Sequence, residues 1–250
     1  MTARSRPALL LLHGTAPGTT AAANFAHLLP SLREYEVLAP DLLGFGDSPK
    51  PTDAVYGPQL WVEQASDFLD ERGVDDVVVV GNSMGARVAL TLATRASERI
   101  RGLVLLNARL HPSRSRAQEL IRDYRPNRDA MGELLRECFA TDPATVTPEM
   151  VEARYRASAL PGAHEAIQTF FSGLPSAGPG PSPEQLQALE IPALVVSGRD
   201  DRVVPHTDGI ELAGLLPRAD LHILGGTGHW FPLERAQTFT TLLLDFLKGL

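Results

Sequence analysis

Six short apolar runs divide this chain, and several of the stretches between them carry helical periodicity. The runs are Ala8–His13, Tyr35–Ala39, Val77–Val80, Leu103–Asn107, Ala193–Ser197 and Leu221–Leu224. They read as strands, and Trp61–Glu71, Arg87–Ala96 and Ile210–Leu216 read as helices between them. A last helix, Ala236–Leu247, places Phe239, Leu242, Leu243 and Phe246 on its apolar face. Alternation of this kind predicts an α/β fold with a mostly parallel sheet of about six strands and helices on both faces. A chain of 250 residues with 44% hydrophobic content is long enough for one sizeable core.

The alternation breaks between about residues 110 and 189. Helical patterns replace strands there, at Arg116–Tyr124, Arg128–Phe139, Pro148–Ala159, Ala163–Phe171 and Pro183–Leu189. Thr147-Pro148-Glu149 and Ser182-Pro183-Glu184-Gln185 each join a capping side chain to a proline in the first turn, a strong helix start. Ser176-Ala177-Gly178-Pro179-Gly180-Pro181 reads as a loop. The expected organisation is a core of residues 1–109 and 190–250 with a helical lid, 110–189, inserted over the strand ends. Ligands bind at the C-terminal ends of strands in open α/β sheets.

The chemistry starts at Gly81-Asn82-Ser83-Met84-Gly85. A β-branched run, Val77–Val80, precedes it and a helical run, Ala86–Ala93, follows it. A serine on so sharp a strand-to-helix turn is pushed out of the sheet, and the flanking glycines let the backbone turn. The plain alternative is a glycine-rich turn with an incidental serine. An activated serine needs a base and a group to orient the base. His229 follows the strand Leu221–Leu224 in a glycine-rich loop, and Asp200-Asp201 follows Ala193–Ser197. All three candidates therefore stand at strand C-termini, in the chain order Ser, Asp, His. An oxyanion hole would take the Met84 N–H, at the start of the following helix, and Thr15 N–H, from the loop His13-Gly14-Thr15-Ala16-Pro17-Gly18.

Composition narrows the partners. Charged residues are 21% with a net charge of −7, which argues against nucleic acid and against a basic membrane-binding face. The single Cys138 cannot form an internal disulfide, and its helical spacing with Met131, Leu134 and Leu135 reads as a buried thiol. No Cys/His cluster has metal-ligand spacing. The N-terminal sequence lacks the layout of an export signal, so cytoplasmic is the expectation.

At these residues the chain resembles the α/β-hydrolase superfamily. More narrowly, it resembles the meta-cleavage product hydrolases, which cut C–C bonds in 2-hydroxy-6-oxohexa-2,4-dienoate-type products of aromatic ring opening. The likeness lies in His13–Gly18, in Ala39-Pro40-Asp41-Leu42-Leu43-Gly44-Phe45-Gly46-Asp47-Ser48, in Asn82 before the serine, in Glu152-Ala153-Arg154-Tyr155 and in Gly228-His229-Trp230. It implies a triad of Ser83, Asp201 and His229. The 28-residue separation of the last two favours Asp201 over Asp200. It also implies substrate contacts from Gly14, Asn24, Asn82, Arg154 and Trp230, a small-molecule substrate with a carboxylate end, and no metal or organic cofactor.

Arg154 meets a test that needs no resemblance. On a helix starting at Pro148, Glu149, Glu152 and Arg156 share one side, and Arg154 lies nearly opposite with Met150, Val151 and Ser158. An inward guanidinium calls for an anion, either a bound carboxylate or an Asp or Glu of the protein. For Trp230 the plain alternative is ordinary packing. Three departures from the family pattern stand out: only twelve residues precede His13, and Ala16 and Ala86 stand where glycine is common. The first predicts a smaller sheet with one edge open or paired in a homodimer or higher homo-oligomer. Two rival functions remain at this stage: an ester, lactone or thioester hydrolase on the same triad, and a non-catalytic ligand-binding protein of the same fold.

Overall fold

The computed structural model describes residues 6–111, 115–173 and 180–250. The predicted loop at Ser176–Pro181 lies outside the described residues as far as Pro179. Strand β1 (Ala8–Leu12) leads through the short helix α1 (Ala21–Phe25) to the two-residue strand β2 (Val37–Leu38). Helix α2 (Pro58–Arg72), strand β3 (Val77–Asn82), helix α3 (Met84–Arg95) and strand β4 (Ile100–Leu106) follow. Among the described residues, five α-helices lie between β4 and the next strand: α4 (Arg116–Asp123), α5 (Arg128–Leu134), α6 (Pro148–Ser158), α7 (Ala163–Gly173) and α8 (Pro183–Gln187). The chain closes with β5 (Ala193–Gly198), α9 (His206–Leu215), β6 (Ala219–Leu224), α10 (Phe231–Glu234) and α11 (Ala236–Lys248).

The six strands form one sheet in the order β2-β1-β3-β4-β5-β6, every neighbouring pair parallel. Alternation along the strands builds two cores. Leu10, Leu12, Val77 and Val79 face one side with Trp61 and Leu69 of α2 and Val88 and Leu92 of α3. Leu9, Leu11, Val78 and Val80 face the other with Phe25 of α1 and Phe239, Leu243 and Leu247 of α11. Each such side chain taken wholly from water contributes roughly 1.5–3 kcal/mol. A third cluster joins Met131, Leu134, Cys138 and Phe139 to Val203, Val204 and Trp230, so the inserted helices pack on the loops beyond β5 and β6.

Local rules account for the helix ends. Thr147 caps α6 through the Met150 N–H, at 3.2 Å, with Pro148 in the first turn. Ser182 and Gln185 make a reciprocal capping box on α8. Gly73, at φ 63°, stops α2 in the left-handed region. The predicted helix over 128–139 departs from expectation: the α-helix ends at Leu134 and Leu135–Phe139 forms a π-helical turn. Cys138 is buried within that turn, its Sγ donating to Ala117 O at 3.4 Å. Burial pushes the thiol up to about 12.

Candidate active site

Ser83 follows β3 directly and opens α3 with φ 56° and ψ −114°. A non-glycine residue rarely takes this conformation, and here neighbouring backbone holds it. The Ser83 N–H donates to Leu106 O at 2.8 Å. A Cβ on Gly81 would lie 2.3 Å from Gly85 O, and one on Gly85 would lie 2.0 Å from Leu12 O. Both positions therefore require glycine. Gly14 crosses above the serine, where a Cβ would meet Ser83 Cβ at 3.1 Å.

The loop carrying Gly14 and Thr15 is braced from below. The His13 Nδ1–H donates to Gly14 O at 2.8 Å, and Nε2 accepts the Leu42 N–H at 2.9 Å. These two bonds set the neutral tautomer. Burial holds His13 down at about 4 despite the Asp41 carboxylate nearby. Asp41 in turn accepts the Ala21 and Asp47 N–H groups, at 2.6 and 3.0 Å. The run from residue 39 to 48 thus acts as a support for this loop.

Of the two adjacent aspartates, only Asp201 reaches the histidine. The His229 Nδ1–H donates to Asp201 Oδ2 at 2.7 Å, with the carboxylate side chain wholly buried. The other oxygen accepts the Val203 and Val204 N–H groups at 2.7 and 2.9 Å. Asp200 is exposed and accepts the Gly226 N–H at 2.8 Å. A Cβ on Gly198 would sit 2.3 Å from Gly228 O, so the loops after β5 and β6 touch through backbone.

Arg154 lies on the buried face of α6, 5% exposed. Its Nε donates to Pro17 O at 3.1 Å and its Nη2 to Thr19 Oγ1 at 2.6 Å. Among the described residues no carboxylate lies within ion-pair distance of it. The guanidinium lies over Phe139, 5.1 Å from the ring centroid, and 5.7 Å from that of Trp230. Phe139 also meets the His229 ring at 5.5 Å and stacks on Trp230 at 5.7 Å. One aromatic ring therefore touches both the imidazole and the guanidinium. Burial lowers Arg154 to about 10, which leaves it a cation at neutral pH. Asn82, 7% exposed, donates from Nδ2 to Asn24 Oδ1 at 3.0 Å. Its Oδ1 has no hydrogen-bond partner among the described residues.

A circuit of contacts joins Asp201, His229, Arg154, Gly14 and Ser83 by way of Phe139. Asp201 holds His229, His229 meets Phe139, Phe139 meets Arg154, Arg154 holds the loop of Gly14 and Thr15, and Gly14 covers Ser83. Sequence reasoning did not single out Phe139, Thr19 or Asn107, a buried residue just past β4. In the sequence Phe139 was only the last residue of a helical pattern, and the π-helical turn places it.

The α/β hydrolase fold family model matches residues 7–236. The chain is 38% identical over 249 residues to a 2-hydroxymuconate semialdehyde hydrolase of Pseudomonas sp. (strain CF600), covering 96% of this chain and 86% of the relative. A meta-cleavage product hydrolase of Pseudomonas fluorescens IP01, solved with acetates, superimposes with a TM-score of 0.92 at 32% identity, covering 97% of this chain and 91% of that one. A 2-hydroxy-6-oxo-6-phenylhexa-2,4-dienoate hydrolase from Rhodococcus sp. strain RHA1 gives 0.88 at 31% identity, with 97% and 90% coverage. The strained serine, the histidine–aspartate pair and these likenesses along most of the chain agree: the protein is an α/β hydrolase and belongs to the meta-cleavage product hydrolases.

Proposed function

We propose that this enzyme hydrolyses a C–C bond in a 2-hydroxy-6-oxohexa-2,4-dienoate-type substrate by a triad of Ser83, His229 and Asp201. The observation that carries the reading is a buried, protonated guanidinium on the ring that also touches the imidazole. A dienoate brings the missing carboxylate to Arg154, which binds it through charge-assisted hydrogen bonds. Asn82 lies at the 2-oxo end beside Asn24, donating its second Nδ2 proton to the oxo group, while its Oδ1, without a partner among the described residues, accepts the 2-hydroxyl of the dienol form. Trp230 forms a wall beside them. The helices of residues 110–189 act as the lid that excludes water.

The dienol first becomes its keto tautomer by protonation at C5, so that the leaving carbon departs as a stabilised enolate. His229 removes the Ser83 proton as the oxygen attacks the C6 carbonyl. Thr15 and Met84 N–H groups hold the oxyanion. Collapse breaks the C5–C6 bond, the departing dienolate takes the proton from His229 to become a 2-hydroxypenta-2,4-dienoate, and the acyl group stays on Ser83. Water, deprotonated by His229, then releases a carboxylic acid. Every atom of this sequence comes from substrate, water and the named side chains.

Relatives name 2-hydroxymuconate semialdehyde as a substrate, which makes it the first compound to assay. We expect its visible absorbance to fall with the parent protein, and Ser83→Ala to lose at least about a thousandfold in kcat. Faster turnover of a p-nitrophenyl ester with no dienoate cleavage would assign the triad to ester chemistry instead.

A further inference from the structure

We propose that Asn107 is a positioning residue for the histidine–aspartate pair, a clamp that sets His229 against Ser83; this rests on the triad proposed above. Asn107 is 1% exposed, just past the end of β4, and takes φ 46°, in the left-handed region. Its backbone N–H donates to Val196 O at 2.9 Å, continuing the ladder to β5. Its side chain spans the two loops that carry the pair. Oδ1 accepts the Gly198 N–H at 3.2 Å, three residues before Asp201, and Nδ2 donates to the carbonyl of His229 itself at 3.0 Å.

The amide orientation follows from its partners. The reverse orientation would set NH₂ against the Gly198 N–H and a carbonyl against the His229 carbonyl. The neighbouring residue completes the frame, because Leu106 O accepts the Ser83 N–H. Consecutive residues of β4 and its exit therefore hold the serine from one side and the histidine from the other. Few side chains meet the requirements together. A carboxylate would repel the His229 carbonyl, a hydroxyl could not reach both loops, and most residues other than Gly, Asn or Asp resist a left-handed backbone. Asn107 touches neither substrate nor reacting atoms; it acts through His229.

The test compares the parent with Asn107→Gly, which accepts the backbone angle and removes both side-chain bonds, and with Asn107→Asp, which keeps the acceptor for Gly198. Three readouts are taken: kcat and KM on the dienoate, the rate of Ser83 labelling by a fluorophosphonate, and the low-field proton NMR resonance of the His229 Nδ1–H. We expect kcat and the labelling rate to fall about tenfold to a hundredfold in both variants, with KM within about threefold of the parent. The low-field resonance should shift or broaden. A folded variant with the parent's labelling rate and an unmoved resonance overturns the proposal. So does a pair of variants that merely lose stability while their folded fraction reacts at the parent rate. Labelling and the resonance need no dienoate, so a parent that labels but does not cleave one refutes the substrate and leaves the clamp open to decision.

Discussion

Arg154 carries a charge into the protein without bringing a carboxylate to meet it. A carbonyl, a hydroxyl and two ring faces surround it instead. Such an arrangement costs stability relative to a neutral side chain and is kept when a ligand supplies the counter-charge. Arg154→Gln can still donate to Pro17 O or Thr19 Oγ1. We therefore expect its unfolding free energy to stay within about 1 kcal/mol of the parent or to exceed it. Its kcat/KM on the dienoate should fall at least about a hundredfold. Denaturant unfolding and steady-state kinetics check the two halves. A loss of several kcal/mol would make the guanidinium a brace for the loop. The helical-wheel argument from Pro148 was enough to place Arg154 inward, because a helix face depends only on its own residues. Whether its partner was a protein carboxylate depended on surrounding loops, and none of the described carboxylates reaches it.

Among elements, the loop after β1 and helix α6 approach each other through backbone at Gly18. Gly18, at φ +68°, lies so near that a Cβ would stand 1.9 Å from Arg154 O. The elbow glycines serve the serine, whereas this glycine sets the height of α6 above it. Gly18→Ala should push α6 outward and carry the guanidinium with it. We expect KM on the dienoate to rise about tenfold while fluorophosphonate labelling of Ser83 stays within about threefold. Equal loss in both assays would mean that the loop, and with it the proposed oxyanion donor Thr15, had moved. The strand–turn–helix at residues 77–95 was legible in the sequence, since β-branched runs, glycine spacing and helix period act locally. The π-helical turn at Leu135–Phe139 was not. Its residues fit a plain helix face, and packing against Val203, Val204 and Trp230 accompanies the change in winding.

At the scale of the whole molecule, stability should depend on pH through His13. Its folded value lies at about 4, below the ordinary 6.5, because burial disfavours the cation. The unfolded chain therefore binds a proton that the folded chain refuses between those values, so this stability is full above about pH 6.5 and is lost as pH falls toward 4. The loss amounts to about 3 kcal/mol across that window. Urea unfolding at several pH values should show it, and His13→Gln, which does not titrate, should flatten the slope. An unchanged slope in that variant would move the effect to other groups.

The sequence by itself determined the parallel sheet, the break where helices replace strands, the elbow serine and the inward face of α6. Each of these follows from periodicity, capping or glycine spacing within a few neighbouring residues. Only the tertiary structure brought Asp201, the aspartate that the family resemblance favours, against His229, and decided where the Arg154 donors go and that Asn107 reaches His229, 122 residues on in the chain. Those outcomes depend on how distant strand ends are brought level in one sheet, and no local pattern encodes the distance between two loops.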